Sequence, residues 1–353
     1  MSASASAQPA AVCAPAGELA AFVAAVFCAR GMAKEDARVL ADVLVWADLR
    51  GVESHGVERV PSYLALVDKG AMNVAARPQV HDLAPALFMV DADRSAGPVA
   101  MDIAMREAAR RAGAQGCATG VVRRTCHTGA IGYYAEWMAR QGFAAIVFGS
   151  GPPLMAYAGA RTPSLSTSPL ALAVPGGPDG VLMLDMASAV VSNGRLKQAA
   201  RKGETIPLGW ALDAAGKPTT DPAAAAVVLP LGGPKGSGLG LLFECMTSLI
   251  AGTPLLSAML GPAGKPFHMQ SETLIAIDVS KFRARGDFEA DVTALVETMR
   301  ALPRAQEGEA IRMPGERAQA QSRARASAGV PLSARLLAQL REVASNHGVA
   351  PPA

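Results

Sequence analysis

Two kinds of hydrophobic pattern divide the chain, and their order limits its fold class. In the middle, short apolar runs alternate with helix-patterned stretches, as expected of an α/β region. Towards both ends, apolar residues recur at three- and four-residue steps, as at positions 19–27 and 39–47, which predicts helices. We therefore predict an α/β protein in which both chain ends form one helical domain around a central α/β domain.

The pattern also gives element and domain boundaries. The predicted strands lie at 86–90, 120–122, 144–148, 170–174, 181–184 and 273–279, and the predicted central helices at 99–112, 131–141 and 238–252. We assign residues 1–17 to a disordered leader, 18–75 with 285–353 to the helical domain, and 76–284 to the central α/β domain.

Composition excludes several classes of partner. The net charge of +3 over 353 residues, with scattered Lys and Arg, argues against nucleic-acid binding. No apolar run approaches the roughly 20 residues of a membrane span, so we expect no transmembrane segment. Five widely spaced cysteines and five unclustered histidines predict free thiols in the cytoplasm and no metal site.

Neither glycine-rich stretch matches a standard phosphate-binding motif. After the strand at 144–148, Gly149-Ser150-Gly151 has Leu154 where a Rossmann fingerprint needs its third glycine. Residues 232–238 lack the Lys-Ser/Thr pair of a P-loop. A dinucleotide-binding domain in this chain is therefore predicted to be non-Rossmann.

A polar segment between apolar helices is the first candidate site. It contains Arg50, Ser54, His55, Arg59 and Tyr63. An arginine can bind a carboxylate in bidentate fashion, and a histidine can exchange a proton near neutral pH. The alternative is structural, with an N-cap serine and surface arginines.

His127 is the second candidate because it lies in a strand-to-helix turn, where α/β proteins place ligands. Unpaired N–H groups at the following helix N-terminus would favour an anion. An ordinary turn histidine is the alternative.

Two further segments contain charged residues beside small ones. Asp185 ends a strand and could orient a histidine, meet a cofactor hydroxyl or cap a helix. Lys235 lies among glycines that would let a phosphate approach, unless the segment is only a surface turn. Residues 314–317 have the pattern of a helix start.

Taken together and in order, these segments resemble the malate/L-lactate dehydrogenase family of non-Rossmann NAD(P) oxidoreductases. The matching motifs are Arg50–Arg59 with Tyr63, His127–Tyr134, Leu184–Ala187, Pro207–Asp213, Gly216–Asp221, Pro230–Gly236 and Met313–Glu316. The resemblance implies a homodimer acting on a small carboxylic acid, with NAD or NADP near the subunit interface.

Residue roles follow from the same resemblance. It implies catalytic roles for His127, His55 and Ser54, and contact of Arg59, Tyr63 and Arg50 with substrate. The resemblance also implies that NAD(P) is contacted by ten residues: Ser150, Gly151, Asp185, Met186, Ala187, Lys235, Gly236, Gly315, Glu316 and Arg317.

The substrate stays open between two chemistries and one non-catalytic alternative. We predict interconversion of a 2-hydroxy acid and its 2-oxo acid; a cyclic 2-imino acid reductase and a non-catalytic dinucleotide-binding or scaffold protein are the alternatives. Cys126 and Ser168 stand where the family usually has Asn. Because a lost amide changes pocket shape and polarity, no single substrate is transferred from a relative.

Overall fold

The computed structural model describes residues 12–261, 269–306, 308 and 310–352, without the side chain of Asn193. Its helices are α1 (Ala16–Ala29), α2 (Lys34–Leu49), α3 (Val60–Asp68), α4 (Gly97–Gln115), α5 (Gly132–Arg140), α6 (Asn193–Lys202), α7 (Pro234–Glu244), α8 (Leu256–Leu260), α9 (Arg285–Arg300), α10 (Glu316–Ala328) and α11 (Ala334–His347). Its strands are β1 (Val12–Ala14), β2 (Gln79–Ala84), β3 (Leu87–Asp91), β4 (Cys117–Thr125), β5 (Phe143–Ser150), β6 (Met155–Ala156), β7 (Pro163–Leu165), β8 (Leu170–Pro175), β9 (Val181–Met186), β10 (Ala211–Leu212), β11 (Pro218–Thr219), β12 (Val227–Val228), β13 (Gln270–Asp278) and β14 (Val330–Leu332).

The chain divides into two compact units. The helical unit contains the described residues up to Ala75 and from Glu316 onward, and the central unit runs from Ala76 to Gly315. In the described part of the chain, no helix has both the length and the hydropathy needed to cross a bilayer.

The helical unit joins the two ends of the chain. Helices α1 and α2 bury the apolar positions that their periodicity indicated. The predicted leader is wrong in part: residues 1–11 lie outside the described residues, but Val12–Ala14 pair antiparallel with Val330–Leu332, and α1 begins at Ala16. Backbone pairing in β1 needs no marked hydrophobic run, so the pattern did not indicate it.

The predicted domain boundary at residue 285 also needs correction, because α9 belongs to the central unit. Gly177 N–H donates to Thr293 Oγ1 at 3.1 Å, and Gly176 lies so close that a Cβ there would approach Glu289 O to 2.9 Å. Helical periodicity shows that a face is buried but not which unit buries it.

A seven-stranded sheet forms the centre of the second unit, in the order β2-β3-β4-β13-β5-β8-β9. Only β3 and β4 pair in parallel; the other neighbours are antiparallel. A Rossmann sheet is mostly parallel with a different strand order, so the predicted non-Rossmann α/β class is confirmed.

The two faces of this sheet carry different elements. On one face Phe148 stacks on Phe243 of α7 at 4.7 Å, and Thr273 Oγ1 donates to Met246 O in the π-helical turn Cys245–Leu249. The opposite face carries α4 and α5. Because side chains alternate along a strand, β13 directs Gln270 and Glu272 to the face opposite Thr273.

A smaller five-stranded sheet, in the order β11-β10-β12-β6-β7, completes the central unit. Its buried apolar side chains pack with those of α6, including Leu196 and Ala199. The short strands of this sheet were not predicted, since strands of two or three residues are too short to show periodicity.

Candidate active site

The first candidate segment consists of two 3₁₀ turns between α2 and α3, Glu53–His55 and Val57–Arg59. Ser54 Oγ lies 3.0 Å from His55 Nδ1, and Arg59 Nε donates to Ser54 O. The structure thus brings Ser54, His55 and Arg59 together through turns, and α3 starts only at Val60.

Asp48, which sequence reasoning missed, supports this segment. Its carboxyl oxygen accepts the Val57 N–H at 2.8 Å, and it lies where a Cβ on Gly56 would be. Burial raises the pKa of Asp48 to about 7. The available signal was periodicity: Asp48 follows Leu44 by four residues on the buried face of α2.

Its buried position keeps His55 neutral. Burial and, secondarily, the Arg59 guanidinium lower the pKa of His55 to about 4, although the residue retains some accessible surface. His55 is therefore uncharged at neutral pH. It can accept or relay a proton, but it is not an imidazolium that could donate an extra one.

Arginines attach neighbouring helices to the segment. Arg325 of α10 donates to Asp48 O and pairs with Glu53 at 2.7 Å. Arg50 is buried, with its guanidinium 4.2 Å over the Trp46 ring. Tyr63 is also buried, in α3. The predicted contacts of Arg50 and Tyr63 with substrate stay predictions.

His127 lies in the central unit, between the end of β4 and the start of α5. The Gly129 N–H donates to His127 Nδ1 at 3.2 Å, so the neutral ring carries its proton on Nε2. Gly97 packs so closely that a Cβ there would be 2.4 Å from His127 O. The first residue of α4 therefore has to be glycine for the His127 loop to lie where it does.

Four residues form a hydrogen-bonded group next to His127, which we call the Thr128 network: Thr128, Tyr134, Gln270 and Glu272. Thr128 N–H donates to Gln270 Oε1 at 3.0 Å, and its Oγ1 lies 2.8 Å from Glu272 Oε1. Tyr134 Oη donates to Thr128 O at 2.6 Å. Sequence reasoning missed Gln270 and Glu272; the signal was two polar residues on one face of an apolar strand.

Asp185 occupies the helix terminus where an external anion was expected. Its Oδ2 accepts the Gly132 N–H at 3.2 Å, at the first residue of α5. The protein's own carboxylate therefore satisfies that terminus, and the expectation that its N–H groups are unpaired is wrong. The side chain of Asp185 is otherwise exposed, and Met186 and Ala187 follow at the end of β9.

Lys235 and Gly236 lie in the first turn of α7, beside the residues that follow β9. A Cβ on Gly236 would be 2.5 Å from Ser188 O, and Leu231 N–H donates to that same oxygen. The Gly236 N–H bonds within the turn, to Leu231 O. An anion at this turn would therefore interact with the exposed Lys235 ammonium and the helix dipole. It would not be bound by a ring of backbone N–H groups.

The remaining predicted cofactor residues occupy three places. Ser150 is buried, with Oγ 2.6 Å from Thr247 Oγ1, whereas Gly151 borders Gln270 of the Thr128 network. Gly315 has φ +78° and lies against Met183 O of β9. Glu316 and Arg317 begin α10 in the helical unit, which confirms the predicted helix start at 314–317.

The part of this set that lies in the central unit fits a dinucleotide. Lys235 provides an exposed cation at the positive end of α7 for a phosphate, and the exposed carboxylate of Asp185 can accept from a hydroxyl. Gly151 packs against Gln270 and Gly315 against Met183 O of β9, and neither position has room for a side chain. No group of three or more His, Cys, Asp or Glu side chains able to hold a metal occurs in the described ranges.

Both departures from the family pattern are buried. Cys126 Sγ donates to Arg94 O at 3.5 Å, and burial raises the pKa of its thiol to about 12. Ser168 has φ +42°, in the left-handed region that Asn adopts more readily than Ser. Its carbonyl accepts from Ser188 Oγ at 2.6 Å, which links this turn to the end of β9.

A family model described as malate/L-lactate dehydrogenase matches residues 14–341. The chain is 32% identical over 345 residues to malate dehydrogenase of Pyrococcus horikoshii, with 95% of each chain covered. It is 34% identical over 322 residues to L-sulfolactate dehydrogenase of Methanocaldococcus jannaschii, with 90% of this chain and 92% of the relative covered.

Two more comparisons extend the range of chemistry and test the fold. A Delta(1)-pyrroline-2-carboxylate/Delta(1)-piperideine-2-carboxylate reductase of Pseudomonas putida is 31% identical over 335 residues, covering 93% and 96% of the two chains. The solved sulfolactate dehydrogenase of Methanocaldococcus jannaschii superposes with a TM-score of 0.87 at 32% identity, over 96% of this chain and 98% of that one.

Proposed function

The chain belongs to the malate/L-lactate dehydrogenase family, and from this premise we propose that it uses NAD or NADP to interconvert a small 2-hydroxy acid and its 2-oxo acid. The observation that carries the proposal is the position of His127 in the central unit. Its neutral ring carries the proton on Nε2, and its loop joins Gln270, which borders the predicted cofactor residue Gly151.

We assign the proton transfer to His127. For proton transfer the ring carries a proton on Nδ1 as well, which replaces the Gly129 N–H contact. The imidazolium then gives its Nε2 proton to the developing alkoxide in the reducing direction, and the neutral ring with its proton on Nδ1 accepts the hydroxyl proton on Nε2 in the oxidising direction. His55 is the weaker choice as acid because its pKa is about 4; we give it and Ser54 the role of hydrogen-bonding the reacting oxygen. A bound nicotinamide supplies or accepts the hydride.

Arg59 is the proposed anchor of the substrate carboxylate, with Arg50 and Tyr63 shaping the surrounding site. The Arg59 Nε already donates to Ser54 O, which holds the side chain and leaves its terminal nitrogens for the carboxylate. The ten residues proposed to contact the dinucleotide are Ser150, Gly151, Asp185, Met186, Ala187, Lys235, Gly236, Gly315, Glu316 and Arg317.

One relative supports a second candidate, reduction of a cyclic 2-imino acid. In that reaction the same histidine would protonate a nitrogen instead of an oxygen. The alternative uses the same residues and differs only in the substrate.

The deciding experiment is a substrate screen that follows absorbance of the reduced nicotinamide with NADH and with NADPH. The panel contains malate, lactate and sulfolactate with their 2-oxo acids, and the cyclic imines pyrroline- and piperideine-2-carboxylate. We expect turnover of a 2-oxo acid and a loss of about 10³-fold in kcat for His127→Gln.

His81→Gln is the matched control, because His81 is exposed on β2, and it should keep wild-type turnover. Turnover of cyclic imines alone would select the second candidate. Wild-type kcat in both His127→Gln and His55→Gln would refute the assigned roles. If neither reduced cofactor changes fluorescence on mixing, the chain is a non-catalytic protein.

We further propose a homodimer in the cytoplasm. In residues 236–261 the only charged side chain is Glu244, which is buried, while six large apolar side chains of α7 and the following π turn are exposed. This apolar face consists of Leu239, Leu241, Leu242, Met246, Leu249 and Ile250. A contiguous patch of this kind favours a second copy of the chain. All five cysteines are free thiols, which supports a reducing compartment.

A further inference from the structure

The hydroxyl of Thr128 faces two oxygen atoms but has one proton to give. Its Oγ1 lies 2.8 Å from Glu272 Oε1 and 3.2 Å from Gln270 Oε1. A glutamine amide oxygen only accepts, and an ionised carboxylate only accepts. If Glu272 were ionised, one of the two short contacts would therefore bring two acceptors together without a proton.

A neutral Glu272 removes this conflict. Its O–H donates to Thr128 Oγ1, whose own proton then goes to Gln270 Oε1, the atom that also accepts the Thr128 N–H at 3.0 Å. Tyr134 Oη fixes the carbonyl of the same residue. Every polar atom of Thr128 then has a partner of the right kind.

We propose that Glu272, as a hydrogen-bond donor, and Gln270, as an acceptor, are positioning residues that hold the His127 loop for proton transfer. This inference rests on the proposed function, because it assigns these two side chains to the reaction of His127. Neither residue contacts the substrate or the cofactor in this role; both act through Thr128, the next residue along the chain.

The surroundings of Glu272 support the donor role. The side chain is 1% exposed on the central strand of the sheet, and its second oxygen lies against Gly149 with no hydrogen-bond partner among the described residues. A neutral carboxyl tolerates such an orphan oxygen far better than a carboxylate does.

The pKa of Glu272 also favours the neutral form of its carboxyl group. Burial raises the pKa of Glu272 to about 8, and the hydrogen bond with Thr128 opposes this only in part. The titratable side chains nearest along the network are His127 and Tyr134. Above pH 8 Glu272 ionises, loses its proton for Thr128, and should release the loop.

The test separates this proposal from the proposed function by reading the His127 ring directly. Imidazole ¹⁵N spectra, with the His127 signals assigned from His127→Gln, report its tautomer without any substrate. We expect Glu272→Met to shift these signals and to lower kcat about 100-fold, since small displacements of a catalytic group are that costly. Glu272→Gln, which can still donate, should keep the spectrum and most of kcat.

The pH profile provides a second readout. The wild-type His127 signals should change above pH 8, and those of Glu272→Gln should not. The matched control is Glu244→Gln, which alters another buried carboxyl that accepts from Leu255 N–H and Leu256 N–H; it should leave the profile unchanged. If Glu272→Met fails to fold, Thr128→Val removes the same hydrogen bond from the loop side and should shift the signals equally.

Wild-type His127 spectra in Glu272→Met or Thr128→Val would overturn the inference, as would Glu272→Gln behaving like Glu272→Met. A wild-type protein that turns over no substrate, but whose His127 signals respond as described, would overturn only the proposed function.

Discussion

The pKa values of two buried groups of the helical unit are shifted in opposite directions from their ordinary values. Burial favours the neutral form of each, so it raises the pKa of the Asp48 carboxyl and lowers that of the His55 imidazole. Between about pH 4 and pH 6.5 both groups therefore stay uncharged in the folded protein, whereas the unfolded chain would ionise both of them. Asp48 also accepts the Val57 N–H, a bond that by itself favours the carboxylate but does not offset the effect of burial on its pKa.

Replacing Asp48 with Asn should flatten the pH dependence of stability. The folded pKa of about 7 lies above the ordinary 3.8, so the native state keeps a proton that the unfolded state releases. Stability therefore falls as pH rises from about 4 to 7. Asn cannot ionise and still accepts the Val57 N–H. The free energy of unfolding of Asp48→Asn should therefore exceed that of the wild type by about 2 kcal/mol at pH 8.

Urea unfolding at pH 4 and pH 8 measures this difference. Asp42→Asn is the control, because Asp42 is an exposed carboxylate of the same helix, and it should leave the pH dependence as in the wild type. If the wild type and Asp48→Asn lose the same amount of stability from pH 4 to pH 8, Asp48 is ionised in the folded protein.

At the level of elements, the sequence predicts the helices, strands and turns that leave a clear periodicity or characteristic turn residues. The long helices α1, α2, α4 and α5 and the core strands follow their hydrophobic patterns, and the polar segment at Ser54 and His55 interrupts a pattern visibly. Gln270 and Glu272 stand out as polar residues of an apolar strand, but the pattern does not show their role, which depends on a loop some 140 residues away. The assignment of α9 to the wrong domain has the same cause, because local patterns do not identify the packing partner.

Arg325 connects helix α10 to the segment Glu53–Arg59, which we propose to bind substrate. Arg325 donates to Asp48 O and pairs with Glu53, so it ties α10 to the start of the turns that carry Ser54 and His55. We expect Arg325→Met to raise KM about tenfold with little change in kcat, because the anchored segment is the one proposed to bind substrate while His127 is untouched.

Steady-state kinetics on the preferred substrate tests this split between KM and kcat. Arg323→Met, an exposed arginine of the same helix, should leave both constants near the wild-type values. A large fall in kcat at unchanged KM would mean that Arg325 serves the chemical step instead.

For the whole molecule, the apolar face of α7 and its π turn predicts the state of association. Leu242 and Ile250 are 59% and 69% exposed in the single chain. Charges placed there would stay uncompensated in a dimer interface, so Leu242→Asp combined with Ile250→Asp should convert the dimer to a monomer.

Light scattering coupled to size exclusion gives the mass directly. Leu83→Asp is the control, because Leu83 is equally exposed but lies on the edge strand β2, and it should leave the dimer intact. A monomeric wild type, or a double variant that remains a dimer, would assign the apolar face to another role.

The pairing of β1 with β14 has a consequence for biosynthesis. A ribosome releases the chain in order, so the first helices emerge long before α10, β14 and α11 exist to cover them. The segment from Ala76 to Gly315 has all of its strands and can fold while translation continues. The amino-terminal helices α1, α2 and α3 therefore keep part of their apolar surface uncovered until α10 and α11 have been synthesised.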